Sequence, residues 1–319
     1  MSEQLKDTAY NAGFSIYCQT ALHAGSGAVL SHVDLPIQRE VHTGHPVVYA
    51  SGWKGALREH CGKAEWVIQL FGSEPAGQEG ASGATSAGSG IFQELRLLLF
   101  PVRSFKEVFV WVTCPLVLQR AALHLNGTVE KVPEWPLADF GINTAWFDEK
   151  LGIGQDKNMR LCIEDYDFAP ASTADAETLA VFETFREGLA NMFVPVPADP
   201  TDLLWKYWHD AVQARIVVLS DHDFANMVAL HTQIETHVQI KEDGTVGGGP
   251  WNQESLPADT VLYTAVRIPA VLEGKGTPSG LGAKLEEQLA KPLAVGGDRS
   301  LGKGWVKVTR LEVRDASHD

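Results

Sequence analysis

The 319 residues are 45% hydrophobic and 21% charged, enough to bury a sizeable core in one large domain or two modest ones. No apolar run approaches the ~18 residues a membrane helix needs. The opening residues lack the basic-then-apolar order of a signal peptide, and Cys18, Cys61, Cys114 and Cys162 form no C-x-x-C pair. These features argue against membrane-spanning, secreted, disordered, zinc-ribbon and disulfide-scaffold classes, and lead us to expect a cytoplasmic protein with four buried thiols. The net charge of −14 opposes nucleic-acid binding only as a sum, because residues 121–240 hold 7 Lys/Arg against 19 Asp/Glu while each end is net −1. Two stretches are locally basic: Lys54, Arg58 and Lys63, and then Lys291, Arg299, Lys303 and Lys307. Screening over roughly 8 Å lets such clusters serve a phosphate backbone despite distant acidity.

In chain order, Gly13–Gln19 alternates as a strand, and a Gly-containing loop runs from Ala24 to Pro36. Ser51 is placed to cap a helix through Trp53, Leu57 and His60, continued by Ala64–Phe71. Residues 72–90 lack periodicity and read as a flexible loop. Ile91–Phe100 and Glu107–Thr113 read as a hairpin, and Pro115 opens a helix to Leu125. The acidic middle predicts a strand at Leu161–Phe168, a helix at Asp175–Met192 and a helix capped by Asp221. Thr232–Lys241 and Thr260–Ile268 predict one long hairpin, with Trp251 in an elaborated tip where it could stack on a base. Leu281–Leu289 and Trp305–Val313 predict a closing helix and strand. The two ends together give strand–helix–strand–strand–helix–strand, an α+β class with a ferredoxin-like or RRM-like core carrying a large insertion.

Gly297-Asp-Arg-Ser-Leu-Gly302-Lys303-Gly304 nearly matches a phosphate-binding P-loop. Gly304 replaces the hydroxyl residue that holds Mg²⁺, and a strand pattern follows where a helix is required, so nucleotide hydrolysis is not expected. What remains is a basic, Gly-rich loop suited to a phosphodiester backbone. His42 and His45 have metal-site spacing but no partner set, and read as structural.

Several segments in order resemble one family: Leu22–Gly27, Val33–Glu40 with His42–Gly44 and Pro46, Ser51–Arg58, Leu97–Ser104, Trp111–Leu118, Ser220–Phe224, Glu254–Pro257 and Gly296–Gly304. The chain resembles the RAMP superfamily, in particular the repeated backbone subunit of the type III-B CRISPR effector (Cmr) complex. The resemblance covers most of the chain outside roughly 130–215. It implies an RRM-like palm with a β-hairpin thumb, copies of the chain stacked as a filament along a crRNA beside other Cmr subunits, and cleavage of complementary target RNA at regular intervals. Mapped here, residues 1–125 begin the palm, 126–231 are the acidic insertion, 232–268 the thumb, and 269–319 complete the palm.

By the same resemblance the cleavage carboxylate is Asp34, and the guide backbone lies along Ser51, Lys54 and Arg58 and the loop carrying Gly296, Gly297, Arg299, Ser300, Gly302, Lys303 and Gly304; His23, which follows the first strand, is expected near the same catalytic site. Lys54 and Arg58 are four apart and share a helix face. Asp34 could hold Mg²⁺ or another divalent cation with the scissile phosphate, or accept the proton of the attacking hydroxyl. Glu94, Trp53 and Pro250–Asn252 depart from the family pattern, and no role passes to Glu94. A purely architectural crRNA-binding subunit, and a stand-alone endonuclease that matures guide RNA, are the competing readings.

Overall fold

The centre of the fold is a strand buried on both faces. β1 (Tyr10–Cys18) places Phe14 and Ile16 on one side, and on the other Ser15, whose hydroxyl donates to the Met192 carbonyl at 2.6 Å. The computed structural model describes residues 9–30, 32–73, 86–129, 141–155, 158–171, 176–194, 201–270 and 276–311. After β1 come β2 (Val47–Val48), α1 (Ala50–Cys61), α2 (Glu65–Phe71), β3 (Ile91–Phe92), β4 (Leu95–Arg103), β5 (Phe109–Thr113) and α3 (Pro115–Leu125). The middle adds β6 (Thr144–Trp146), β7 (Leu161–Ile163), β8 (Tyr166–Pro170), α4 (Ala176–Asn191), α5 (Leu203–Ala214), β9 (Ile216–Leu219) and α6 (Asp221–Leu230). β10 (Gln233–Ile240), β11 (Val246–Ser255), β12 (Val261–Ile268), α7 (Pro278–Leu289), β13 (Leu293–Ala294) and β14 (Trp305–Arg310) follow.

The main sheet has the order β13-β14-β1-β12-β4-β5-β9-β6-β8-β7, with β2 on β4 and β3 on β12. From β14 to β5 every neighbour is antiparallel. Within that stretch β14-β1-β12-β4 uses the first, second, third and fourth core strands in the order 4-1-3-2, with α1 and α2 between the first and second and α7 between the third and fourth. The acidic middle is not separate: β9 pairs parallel to β5 and carries the same sheet onward to β6, β8 and β7. β9 is Ile-Val-Val-Leu with all four residues buried, an unbroken aliphatic run, β-branched in its first three residues, that suits a strand covered on both faces.

Several expectations are corrected. Gly62, at φ +77, breaks the first helix from the second. Leu161–Phe168 is a hairpin of β7 and β8, turning at Glu164 with φ +49. α5 and β9 were not anticipated. Ser51 does not cap α1; the cap position is Tyr49, without a side-chain bond, and Ser51 lies exposed in the first turn. Ser220 caps α6, while Asp221 Oδ1 accepts from the Leu116 amide at 2.9 Å and so serves the start of α3. The long hairpin of 232–268 is replaced by β10 paired with β11, because β12, buried along nearly all its length, lies in the main sheet between β1 and β4. Only Cys18 and Cys114 are fully buried; Cys61 and Cys162 are half-buried, and all four are free thiols. The closing strand ends at Arg310, and of the 72–90 loop residues 74–85 lie outside the described residues; its ends meet in a Gly72–Ala87 bridge. No helix of the described residues is long and apolar enough to cross a membrane.

Candidate nucleic-acid interface

β10 and β11 form a two-stranded arm apart from the main sheet. β10 and the distal part of β11 are largely exposed, whereas Gln253, Glu254 and Ser255 at the base are buried. Successive side chains of a strand point to opposite faces. That alternation splits the base of β11 between two loops: Asn252 and Glu254 face the loop carrying Asp34, and Gln253 and Ser255 face the Gly-rich loop.

On the first face, the amides of Asp34 and Leu35 both donate to the Asn252 carbonyl, at 3.1 and 3.0 Å. The Asn252 amide returns a bond of 2.7 Å to Asp34 Oδ2. Among the described residues no donor reaches Asp34 Oδ1, and the side chain is half-buried. Glu254 is held by Arg39 Nη2 at 2.5 Å, the Ile37 amide at 3.0 Å and the Thr232 hydroxyl at 2.8 Å. Next along the loop, Glu40 takes both terminal nitrogens of Arg120 at 2.7 Å. Burial would raise the Glu40 carboxyl, but the bonds from Arg120 and Thr43 and the charge of Arg96 outweigh it and bring it down to about 2. The Asp34 loop is therefore held by charge-assisted bonds at Ile37, Arg39 and Glu40, just after the catalytic candidate.

On the second face, Gln253 Nε2 donates to Asp298, and Lys303 Nζ reaches Ser255 Oγ at 3.1 Å and Glu235 Oε2 at 2.9 Å. Lys303 is 6% exposed. The expectation that it meets a phosphate is thus corrected: it points inward, turned by Gly302 and Gly304, which have φ of +81 and +78. His23 joins both systems. Its Nδ1 lies 2.6 Å from the Glu254 carbonyl and its own carbonyl accepts from the Gly297 amide at 2.9 Å. A carbonyl can only accept, so Nδ1 is the donor in this bond. Gly296 is required here, since a Cβ would lie 2.4 Å from the His23 carbonyl oxygen. His23 makes no bond to Asp34; it couples the Gly-rich loop to the arm.

The rest of the Gly-rich loop is a 3-10 turn over Arg299–Leu301 followed by β14, so the P-loop architecture is absent from it. Arg299, Ser300 and Gly302 are exposed, and Arg299 pairs with Glu59 of α1 at 2.8 Å, which ties the loop to the basic helix. On α1, Lys54 lies 5.5 Å from the Phe92 ring centre and Arg58 Nη1 donates to the Ser73 carbonyl at 3.3 Å. Burial, aided by Arg58, lowers the Lys54 ammonium from its ordinary value. Trp251 is not at the arm's tip, which is Lys241–Thr245; it stacks on His237 across the two strands, ring centres 5.7 Å apart.

A family model described as the RAMP superfamily matches residues 15–307. The chain belongs to the RAMP superfamily. It is 31% identical over 319 residues, with 96% of each chain covered, to a Pyrococcus furiosus protein named CRISPR system Cmr endoribonuclease Cmr4. Its fold is similar to that of oligomeric Cmr4 from Pyrococcus furiosus, with a TM-score of 0.68 at 24% identity, covering 96% of this chain and 99% of that one. It is also similar to a chain of the type III-B Cmr-beta complex bound to cognate target RNA, with a TM-score of 0.64 at 20% identity, covering 95% and 98%.

Among the described residues of this RAMP-superfamily chain, no three His, Cys, Asp or Glu side chains converge as a metal cage. His45 is buried edge-on against Phe224, with ring centres 5.2 Å apart, and His42 is exposed. Asp34, with one oxygen unbonded by protein, fits a cation shared with an RNA phosphate and water, the arrangement Mg²⁺ favours. The four residues from Asn252 to Ser255 are what sequence reasoning missed: they join the Asp34 loop, His23 and the Gly-rich loop. Their signal was Glu254–Pro257, one of the segments that resemble the family, and the turn-like Gly247-Gly-Gly-Pro-Trp251 immediately before them hid the strand.

Proposed function

We propose that this chain is the guide-RNA-bound, repeated backbone subunit of a type III-B effector complex and that it cleaves complementary target RNA with Asp34. The observation that carries this reading is the convergence of Asp34, His23 and the Gly-rich loop on the base of one projecting arm. The β14-β1-β12-β4 sheet with α1, α2 and α7 is the RRM-like palm, and the β10–β11 arm is the thumb. Lys54 and Arg58 on α1, and Arg299, which is tied to α1 through Glu59, track the guide phosphates. Partners are crRNA, target RNA, copies of the chain and other Cmr subunits. The name borne by the 31% identical relative supports the nuclease reading.

A target nucleotide displaced by the arm would have its 2′-hydroxyl free for in-line attack on the adjacent phosphate, and such positioning lowers barriers by several kcal/mol. Asp34 Oδ2 is spent on Asn252, so Oδ1 is the oxygen available for a divalent cation or for the hydroxyl proton. A bound Mg²⁺ would neutralise charge on the scissile phosphate. The bond from Asn252 also favours a second reading, in which Asp34 only secures the arm of an architectural subunit.

Two substitutions separate these. Asp34→Asn keeps an oxygen to accept from Asn252 but removes the charge, whereas Asp34→Ala removes both. End-labelled complementary RNA is presented to the reconstituted complex with Mg²⁺ or EDTA. Regularly spaced products that vanish with EDTA and in both variants, with RNA still bound, support the nuclease. Cleavage retained by Asp34→Asn and lost only in Asp34→Ala assigns Asp34 to positioning, and no cleavage by tightly bound wild type leaves an architectural subunit.

A further inference from the structure

We propose that Glu235 and Lys303 form a clamp that sets the angle of the hairpin arm and thereby positions Asp34; this rests on the reading of Asp34 as the cleavage carboxylate. Among the described residues, the arm has two ion pairs to the rest of the chain, one on each face of its base: Arg39–Glu254 at 2.5 Å and Lys303–Glu235 at 2.9 Å. The Lys303 end is immobile. The next amide, Gly304, donates to the Ala21 carbonyl at 2.7 Å, and its backbone packs so closely on Val295 that a Cβ would lie 2.0 Å from that carbonyl oxygen. The Lys303 amide itself donates to the Asp298 carbonyl at 3.3 Å. Glu235, by contrast, sits on the arm, with its side chain 33% exposed.

The Lys303 side chain is 7% exposed, and its ammonium has two acceptors, Glu235 and Ser255, both on the arm. It therefore draws the arm toward the Gly-rich loop, opposing Arg39 on the other face. Any rotation of the arm about its base moves Asn252, which holds Asp34 through two hydrogen bonds and Leu35 through a third. Glu235 and Lys303 are accordingly positioning residues that act through Asn252 on Asp34, and a displacement near 1 Å at a reacting group can cost about 100-fold in rate.

The test uses complete complexes carrying wild type, Lys303→Met, Glu235→Gln, or the exchange Glu235→Lys with Lys303→Glu. Three quantities are read: the salt dependence of guide-RNA affinity, the cleavage rate at saturating target, and hydrogen exchange of the 233–240 amides. Each single variant is expected to lose about 10- to 100-fold in saturated rate while the salt slope stays that of wild type. Exchange over 233–240 quickens, and the exchanged pair restores both rate and protection. Glu235→Gln, a partly exposed substitution of equal size, covers the case in which Lys303→Met fails to fold. A salt slope lowered by about 1 in Lys303→Met would make Lys303 a phosphate ligand and overturn the clamp, as would unchanged rate and exchange in Glu235→Gln. If wild type does not cleave, the functional reading fails and the exchange rates alone decide the clamp.

Discussion

Glu40 decides how firmly charge holds the loop that carries Asp34. Its side chain is 8% exposed and receives two bonds of 2.7 Å from Arg120 and one of 2.7 Å from the Thr43 hydroxyl, with Arg96 Nε at 3.8 Å. The carboxyl falls from an ordinary 4.5 to about 2 in the folded protein. A depressed folded pKa means that stability is present above pH 4.5 and is lost as pH falls toward 2. The difference corresponds to about 3 kcal/mol at neutral pH, of which about 1 kcal/mol has gone at pH 3.5. Glu40→Gln keeps the shape but leaves Arg120 and Arg96 without their carboxylate. Urea unfolding at pH 7 should show the variant less stable by about 3 kcal/mol, within the range for breaking a buried pair. At pH 3.5 the gap between wild type and variant should shrink by about 1 kcal/mol, since position 40 titrates only in wild type. A gap that is the same at both values, or absent at pH 7, would refute the claim that the pair anchors the loop.

The Gly-rich loop makes a paired prediction. Gly304→Ala places a Cβ 2.0 Å from the Val295 carbonyl oxygen at φ +78, and should lower stability by more than about 3 kcal/mol in thermal melts. Gly302→Ala meets open space at φ +81 and should cost only the left-handed penalty of about 1–2 kcal/mol; equal effects would mean that the loop repacks. Lys54→Met should weaken guide-RNA binding and reduce the slope of log affinity against log salt by about 1. An unchanged slope would remove Lys54 from the phosphate path.

Much of the palm was legible because local chemistry and final environment agree. β1 alternates, Pro115 stands at the first turn of α3, and α7 carries Leu281, Leu285 and Leu289 at helical spacing with all three buried. Where the two disagree, the reading failed. β11 contains three glycines and a proline, so it resembles a turn, and only pairing with β10 makes it a strand. β12 was assigned to the arm because a buried central strand and one strand of a hairpin have the same apolar composition; its partners are β1 and β4, distant in sequence. β9, four residues long between two helices, is too short for periodicity to announce.

The site divides the same way. The resemblance of short ordered segments to the family was enough to nominate Asp34, the α1 basic pair and the Gly-rich loop, because matching a short segment does not depend on distant neighbours. Which way a side chain turns does depend on them. Lys303 has the composition of a phosphate ligand, yet the positive φ of Gly302 and Gly304 aims it at Glu235 and Ser255, 68 and 48 residues away along the chain. Asn252 and Glu254 acquire their roles only when strand alternation presents them to a loop more than 200 residues earlier. The sequence by itself determined the family and the α+β core and singled out Asp34; tertiary structure decided what holds Asp34, since long-range hydrogen bonds and ion pairs leave no trace in local spacing.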